Sequence, residues 1–243
     1  MKELFSDGQV QVLNGKWEDF IGNADHIITD PDYGTTYQKW DKGLDLSAWW
    51  VWINKTLTPG GTAAFTSSQP FTSKAVMSRP EWFRWAWVWD KKNPTNFPNA
   101  KRQPLKVHED VLVFCDRQPT YHPQMTKGSV NHSQGKSKEN VSDYRLISKR
   151  AADDLSGMKY PTSIIQYAKH SSMCRWHTNQ KPIELMIYLI KTLTNEGDLI
   201  IDSHAGSGTT LIAARACGRR AIGIEQDTAI AETAVERLRM EIF

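Results

Sequence analysis

Residues 199–214 read LIIDSHAGSGTTLIAA, and the order of side-chain types in this stretch decides the fold. Leu199 to Ile201 form an apolar run that ends on a carboxylate, Asp202. Gly206 and Gly208 then allow a tight backbone turn with no Cβ in the way, and a helical pattern opens at Thr209. The result is a strand, a glycine turn and a helix whose N-terminal N–H groups and dipole suit the carboxylate of a ligand. By itself, a G-x-G at such a turn serves a purely structural turn equally well. The next apolar run, RAIGIE over 220–225, ends on Glu225, 17 positions after Gly208. A carboxylate there can accept both hydroxyls of a ribose. Position 211 is Leu, so the third glycine of the dinucleotide fingerprint is missing and a nucleoside fits better than a pyrophosphate.

Working outward, the pattern predicts a helix over 182–193 with Pro182 in its first turn, a helix over 209–217, and a last helix after Glu225. Toward the other end, 9–13 (QVQVL) and 26–29 (HIIT) read as strands. A helix over 45–57 is capped by Asp45 or Ser47 and stopped by Pro59-Gly60-Gly61. A strand over 61–66, a helix near 70–78 and strands over 82–89 and 110–115 follow, with 91–108 as a loop rich in Pro, Asn and Lys. Apolar periodicity fades over 116–163, an irregular insertion. No internal repeat is present. Strands alternating with helices imply an α/β, mostly parallel, doubly wound sheet with ligands beyond the carboxyl ends of the strands, at the loops after Thr29, Ile201 and Ile224. Only a helix follows Glu225, so QVQVLNG must supply the neighbouring strand, placing Asn14 and Gly15 beside the ligand.

The 243 residues suffice for one core with a small appended lobe. Hydrophobic content of 40% and charged content of 23% exclude a disordered or collagen-like chain. A net charge of +3 excludes a uniformly basic, histone-like binder but leaves room for a basic face. Residues 91–181 hold 16 Lys+Arg against 7 Asp+Glu, while the remainder holds 14 against 20. Cys115, Cys174 and Cys217 show no C-x-x-C pairing, so no metal site is expected and a reducing, cytoplasmic setting is the simplest reading. MKELFSDGQV lacks the apolar core of a signal peptide, and no run approaches the roughly 20 apolar residues of a membrane span. Ten tryptophans are an excess. Trp85, Trp87 and Trp89 fall on one face of a strand, as core or as a subunit interface.

A second constellation is IITDPDYG, 27–34. A buried strand delivers Asp30 and Tyr33 at a turn stiffened by Pro31, an acid and a ring that suit a flat base bearing an amino group. The third is HTNQKPIELMIYLI, 177–190, where Lys181-Pro182 opens an amphipathic helix. Together these segments resemble the amino-methylating DNA methyltransferases that modify adenine N6 or cytosine N4. DPDY is one residue from the D-P-P-Y motif of that family, IIDSHAGSGTT is similar to its L-D-P-F-x-G-S-G-T-T motif, HTNQKP to its H-P-T-Q-K-P segment, and GIEQD to its ribose-binding acid. The motif order matches the circularly permuted beta class.

The resemblance implies a Rossmann-like methyltransferase fold, circularly permuted, with a catalytic half over 1–115, a target-recognition insertion over 116–163 and a cofactor-binding half over 164–243. It implies S-adenosylmethionine as cofactor, held by Asn14, Gly15, Asp30, Lys181, Asp202, His204, Ala205, Gly206, Ser207, Gly208, Thr209 and Glu225. Asp30, Pro31, Asp32 and Tyr33 form the catalytic motif. Asp30 and the Pro31 carbonyl accept the two amino hydrogens of a flipped-out adenine stacked on Tyr33, and the methyl group moves by direct in-line displacement. Asp32 stands where the family has a second Pro, and His204 where it has Phe, as a pocket wall. DNA is the expected partner, contacted by Lys91, Lys92, Lys101, Arg102 and Lys106 on a projecting loop and by Lys127, Lys136 and Lys138 in the insertion. A homodimer and a restriction endonuclease are compatible further partners. Asp rather than Ser at position 30 favours adenine over cytosine. A catalytically silent nucleic-acid-binding subunit is the alternative from another class.

Overall fold

A computed structural model describes residues 1–34, 43–129, 157–168 and 180–240 of the chain. In chain order its elements are β1 (Lys2–Ser6), β2 (Val10–Asn14), β3 (Ala24–Thr29), α1 (Leu46–Thr56), β4 (Leu57–Ser67), α2 (Phe71–Ser78), β5 (Phe83–Thr95), β6 (Lys106–Phe114), β7 (Thr126–Lys127), β8 (Met158–Lys159), β9 (Ile164–Gln166), α3 (Ile183–Leu193), β10 (Leu199–Asp202), α4 (Thr209–Ala216), β11 (Arg220–Glu225) and α5 (Thr228–Met240). Nine strands form one sheet in the order β1-β2-β11-β10-β3-β4-β6-β5-β9. The five from β2 to β4 are parallel, β6 runs antiparallel to both its neighbours, and β9 is parallel to β5. The sheet is thus mostly parallel, and β2 supplies the strand next to β11, with Asn14 opposite Glu225.

Each face of the sheet is covered, as buried parallel strands require. On one face Val10, Val12, Ile28, Val111 and Val113 pack against Leu185, Leu189, Leu211, Val235 and Leu238 of α3, α4 and α5. On the other, Ile27, Ala63, Phe65, Leu112 and Phe114 pack against Trp49, Trp50 and Ile53 of α1 and Phe71 and Ala75 of α2. Asp45 caps α1 as its sequence position predicts, its carboxylate accepting from Ser47 N and Ala48 N. Trp87 and Trp89 lie in the first of these cores and Trp85 packs at its margin; core is therefore what the alternate tryptophans make.

Two expectations need correction, and two strands had not been announced. Pro59-Gly60-Gly61 does not precede a strand but lies within β4, which begins at Leu57. Gly61 is required there because an added Cβ would meet Asp25 O at 2.6 Å and Thr58 O at 2.9 Å. The loop expected over 91–108 is shorter, since β5 continues to Thr95 and β6 begins at Lys106. β1, with its charged KELFS sequence, and the short β9 had no apolar pattern to announce them.

Residues Pro123–Thr162 form a second compact unit, in which β7 pairs antiparallel with β8. Tyr121 and His122, counted with the insertion by sequence, belong to the main unit. Tyr121 meets Trp85 edge-on at 5.7 Å, and His122 Nε2 lies 3.0 Å from Asn195 Oδ1. Among the described residues no helix is long and apolar enough to cross a membrane, and no cluster of His, Cys, Asp and Glu is placed to hold a metal ion.

Candidate active site

Parallel register brings the ends of β2, β11, β10, β3 and β4 to one edge of the sheet, carrying Asn14, Glu225, Asp202, Asp30 and Thr66 in that spatial order. Because β6 is antiparallel, its beginning rather than its end reaches the same edge, with Asp110 opposite Ser67 and His108 opposite Asp90. Residues far apart in the chain therefore share one crevice, as open α/β sheets favour at their switch point.

At the β11–β10 end the backbone makes the site. Gly206 and Gly208 hold positive φ of +51° and +80°, a region costly for other residues. A Cβ on Gly206 would point into open space, whereas one on Gly208 would press on Ala234 at 3.2 Å. Ala205 N donates to Ile224 O at 2.9 Å, tying the turn to β11. Glu225 accepts from Gly206 N at 3.0 Å and Asp227 N at 2.8 Å, and burial pushes its pKa up against these bonds. Asp202 is buried and accepts from Thr29 Oγ1 at 2.6 Å and His204 N at 3.1 Å. Burial raises its pKa to about 6. Asn14 donates to Glu225 O at 2.9 Å, and Gly15 N to the same oxygen at 3.0 Å.

Burial also pushes the pKa of His204 down to about 4, so the ring is neutral at physiological pH. Its Nδ1 lies 2.9 Å from Ser203 Oγ. Thr209, expected at the cofactor, receives a hydrogen bond from buried Arg237 at 2.9 Å. Arg237 also lies 3.3 Å from Ser207 O, so α5 braces the glycine turn from behind. Sequence reasoning missed Arg237; a lone Arg in an amphipathic helix ordinarily marks a solvated face.

At the β3–β4 end, side chains make the site. Lys181 Nζ donates to Asp30 Oδ2 at 2.6 Å, while Tyr33 OH donates to Asp30 Oδ1 at 2.9 Å and lies 2.7 Å from Thr66 Oγ1. Thr66 also hydrogen-bonds Asp30 Oδ1. Lys181 thus meets the DPDY segment directly. Burial pulls its pKa down, but the charges of Asp30 and then Glu109 more than offset this and hold it above the ordinary lysine value. Burial and then the charge of Asp30 push the Tyr33 hydroxyl well above its usual pKa. The Tyr33 ring stacks on Phe71 with centroids 5.5 Å apart. A cavity of about 770 Å³ opens beside it, lined by Phe71, Gln69, Lys74 and Asp45 among others.

The expected DNA-contacting cations divide. Lys91 does not project: it is 2% exposed and pairs with Glu109 at 3.1 Å, because period-2 alternation puts it on the same strand face as Trp87 and Trp89. Lys106 is half-buried and turned onto Ser68 Oγ, with burial lowering its pKa. Lys92, Lys101, Arg102 and Lys127 are exposed. Lys136 and Lys138, with His177, Thr178 and Asn179 of the HTNQKP segment, lie outside the described residues.

A parallel sheet covered on both faces, with a nucleoside-type corner at one strand tip and a motif carboxylate two strands away, defines a Rossmann-like methyltransferase fold in permuted order. Residues 24–236 match the model of the N6/N4 DNA methylase family, and the chain belongs to that family. The type II methyltransferase M.HpaI of Haemophilus parainfluenzae is 26% identical over 265 residues, covering 99% of this chain and 75% of that protein. A shorter match, to M.HindIII of Haemophilus influenzae, is 46% identical over 66 residues; it covers 27% of this chain and only 21% of that protein. Among solved structures, M1.HpyAVI in complex with SAM superimposes with a TM-score of 0.66 at 22% identity, covering 94% of this chain and 98% of that one. The cytosine-N4-specific PvuII DNA methyltransferase gives 0.62 at 15% identity, covering 95% and 86%. These likenesses establish the shared fold.

Proposed function

We propose that the chain is an S-adenosylmethionine-dependent DNA methyltransferase that acts on the N6 amino group of adenine. The observation that carries this reading is the Asp30 carboxylate, held by Lys181, Tyr33 and Thr66, on the same strand edge as the Gly206–Glu225 corner. That corner fits the cofactor in two respects: Gly206 leaves open the space a Cβ would fill, and the Glu225 carboxylate can accept ribose hydroxyls. When bound, S-adenosylmethionine supplies an electrophilic methyl group.

The chain's own task is to hold the amino group. The nitrogen of an exocyclic amine is a weak nucleophile because its lone pair is delocalised into the ring. Asp30 and the Pro31 carbonyl accept its two N–H groups and so localise that lone pair, which is catalysis by positioning and electrostatics. The Asp30 oxygens are engaged by Lys181, Tyr33 and Thr66, so an incoming amino group exchanges with the hydroxyls of Tyr33 and Thr66. Once its hydroxyl is released from Asp30, Tyr33 offers its ring to the base, beside the cavity it lines. Lys92, Lys101 and Arg102 are the exposed cations suited to phosphate contact on the main unit, and Lys127 on the second; such contacts position DNA without reading its sequence.

The relatives named as type II methyltransferases support a place in restriction-modification. Mass analysis of nucleosides from DNA incubated with the protein and cofactor tests the reading. N6-methyladenine is expected. N4-methylcytosine as the sole product would overturn the adenine target, and no labelled product with any DNA would favour a silent binding subunit.

A further inference from the structure

The buried charges at the catalytic edge extend beyond the residues that the motifs name. Glu109, 7% exposed on β6, and Lys91, 2% exposed on β5, belong to none of them. Glu109 Oε1 lies 3.1 Å from Lys91 Nζ, and its Oε2 lies 3.6 Å from Lys181 Nζ. Lys181 in turn meets Asp30 at 2.6 Å. Four charges of alternating sign therefore run Lys91, Glu109, Lys181, Asp30, from β5 through β6 and the start of α3 to the end of β3. Apolar side chains at positions 91 and 109 would extend the face that Trp87, Trp89, Val111 and Val113 already fill, and such replacement is often neutral or stabilising. Packing of the sheet thus gives no reason for this arrangement, whereas orientation of a carboxylate does. The ammonium of Lys181 has three donors on a flexible stem, and the second carboxylate fixes which way they point.

We infer that Glu109 and Lys91 are positioning residues, Glu109 directing the Lys181 ammonium onto Asp30 Oδ2 and Lys91 balancing the buried charge of Glu109, so that the rotation of the Asp30 carboxylate is set before substrate arrives. The inference rests on the reading of Asp30 as the amino-group acceptor, but its test separates the two. Lysine side-chain ¹³C titration is carried out on the full chain without ligand, with the Lys181 signal assigned by its loss in Lys181→Met. In Glu109→Gln the proton affinity of Lys181 is expected to fall at least tenfold, as loss of a neighbouring negative charge requires. Single-turnover methyl transfer should fall tenfold or more, with an alkaline decline that begins at least one pH unit below that of the wild type. Lys91→Met/Glu109→Gln removes the pair without stranding a buried charge, so it keeps the test open if Glu109→Gln does not fold. There the fall in Lys181 proton affinity should be about threefold, because Glu109 lies next to Lys181 and Lys91 beyond it. An unchanged Lys181 titration in folded variants overturns the inference, whatever the activity. Wild-type methyl transfer by Asp30→Ala would instead overturn the reading of Asp30.

Discussion

The two ends of the catalytic edge hold their carboxylates by opposite means. At β10 and β11, Asp202 and Glu225 are met by the N–H groups of His204, Gly206 and Asp227 and by the Thr29 hydroxyl. At β3, Asp30 is met by a buried ammonium. Amides and hydroxyls orient a carboxylate without cancelling its charge, so burial drives the Asp202 pKa to about 6 and raises that of Glu225. An ammonium cancels it, and the neighbouring carboxylates hold the Lys181 pKa above the ordinary lysine value. One end thus keeps its negative charge, while the other pairs its carboxylate with a buried ammonium.

The sharpest way to break this contrast is at Asp30. Asp30→Ala is expected to lower single-turnover methyl transfer by on the order of 10³-fold while leaving cofactor affinity, measured by calorimetry, within about threefold. A large loss of cofactor binding would show that the two ends are one unit. Glu225→Gln should do the reverse, weakening cofactor binding roughly 10- to 100-fold, the scale of a hydrogen bond to a charged group, with less effect on the saturated rate.

Asp202 provides a test without any ligand. A folded pKa of about 6 lies above the ordinary value of about 3.9 for an aspartate, so the folded state binds the proton more tightly. The stability tied to that proton is fully present below about pH 4 and is lost as pH rises through 6. Asp202→Asn should therefore stabilise the ligand-free chain at pH 8 by about 1–3 kcal/mol in urea unfolding, with little gain at pH 4. Equal gains at both pH values would refute the account. The smallest effect is expected at His204. With its pKa near 4 it carries no charge in the working range, so His204→Phe should change the transfer rate at pH 7.5 by no more than about threefold. A larger loss would restore an acid–base role.

The same contrast explains what could be read from the sequence. The glycine-turn end is local: Asp202, Gly206 and Gly208 lie within seven residues of one another, and Glu225 ends the very next strand. Strand, turn and helix follow from periodicity and glycine placement. The catalytic end is assembled from β3, β4, β5, β6 and the start of α3, and pairs such as Asp30 with Lys181 lie 151 positions apart. No local pattern announces them. Lys91 had a signal that went unused, since it continues the alternation of Trp85, Trp87 and Trp89 into what resembled a polar loop. Glu109 likewise continues Val111 and Val113 backward. Thr66 had none, because a threonine ending a strand is ordinary.

The bond from Asn14 to Glu225 O spans 211 positions. At synthesis rates of roughly 5–20 residues per second, a nascent chain waits about ten to forty seconds between making the first of these residues and the second. Through that interval β2 has no β11 to pair with. The corner that would receive the nucleoside therefore cannot form until β11 has been made, however early β2 emerges.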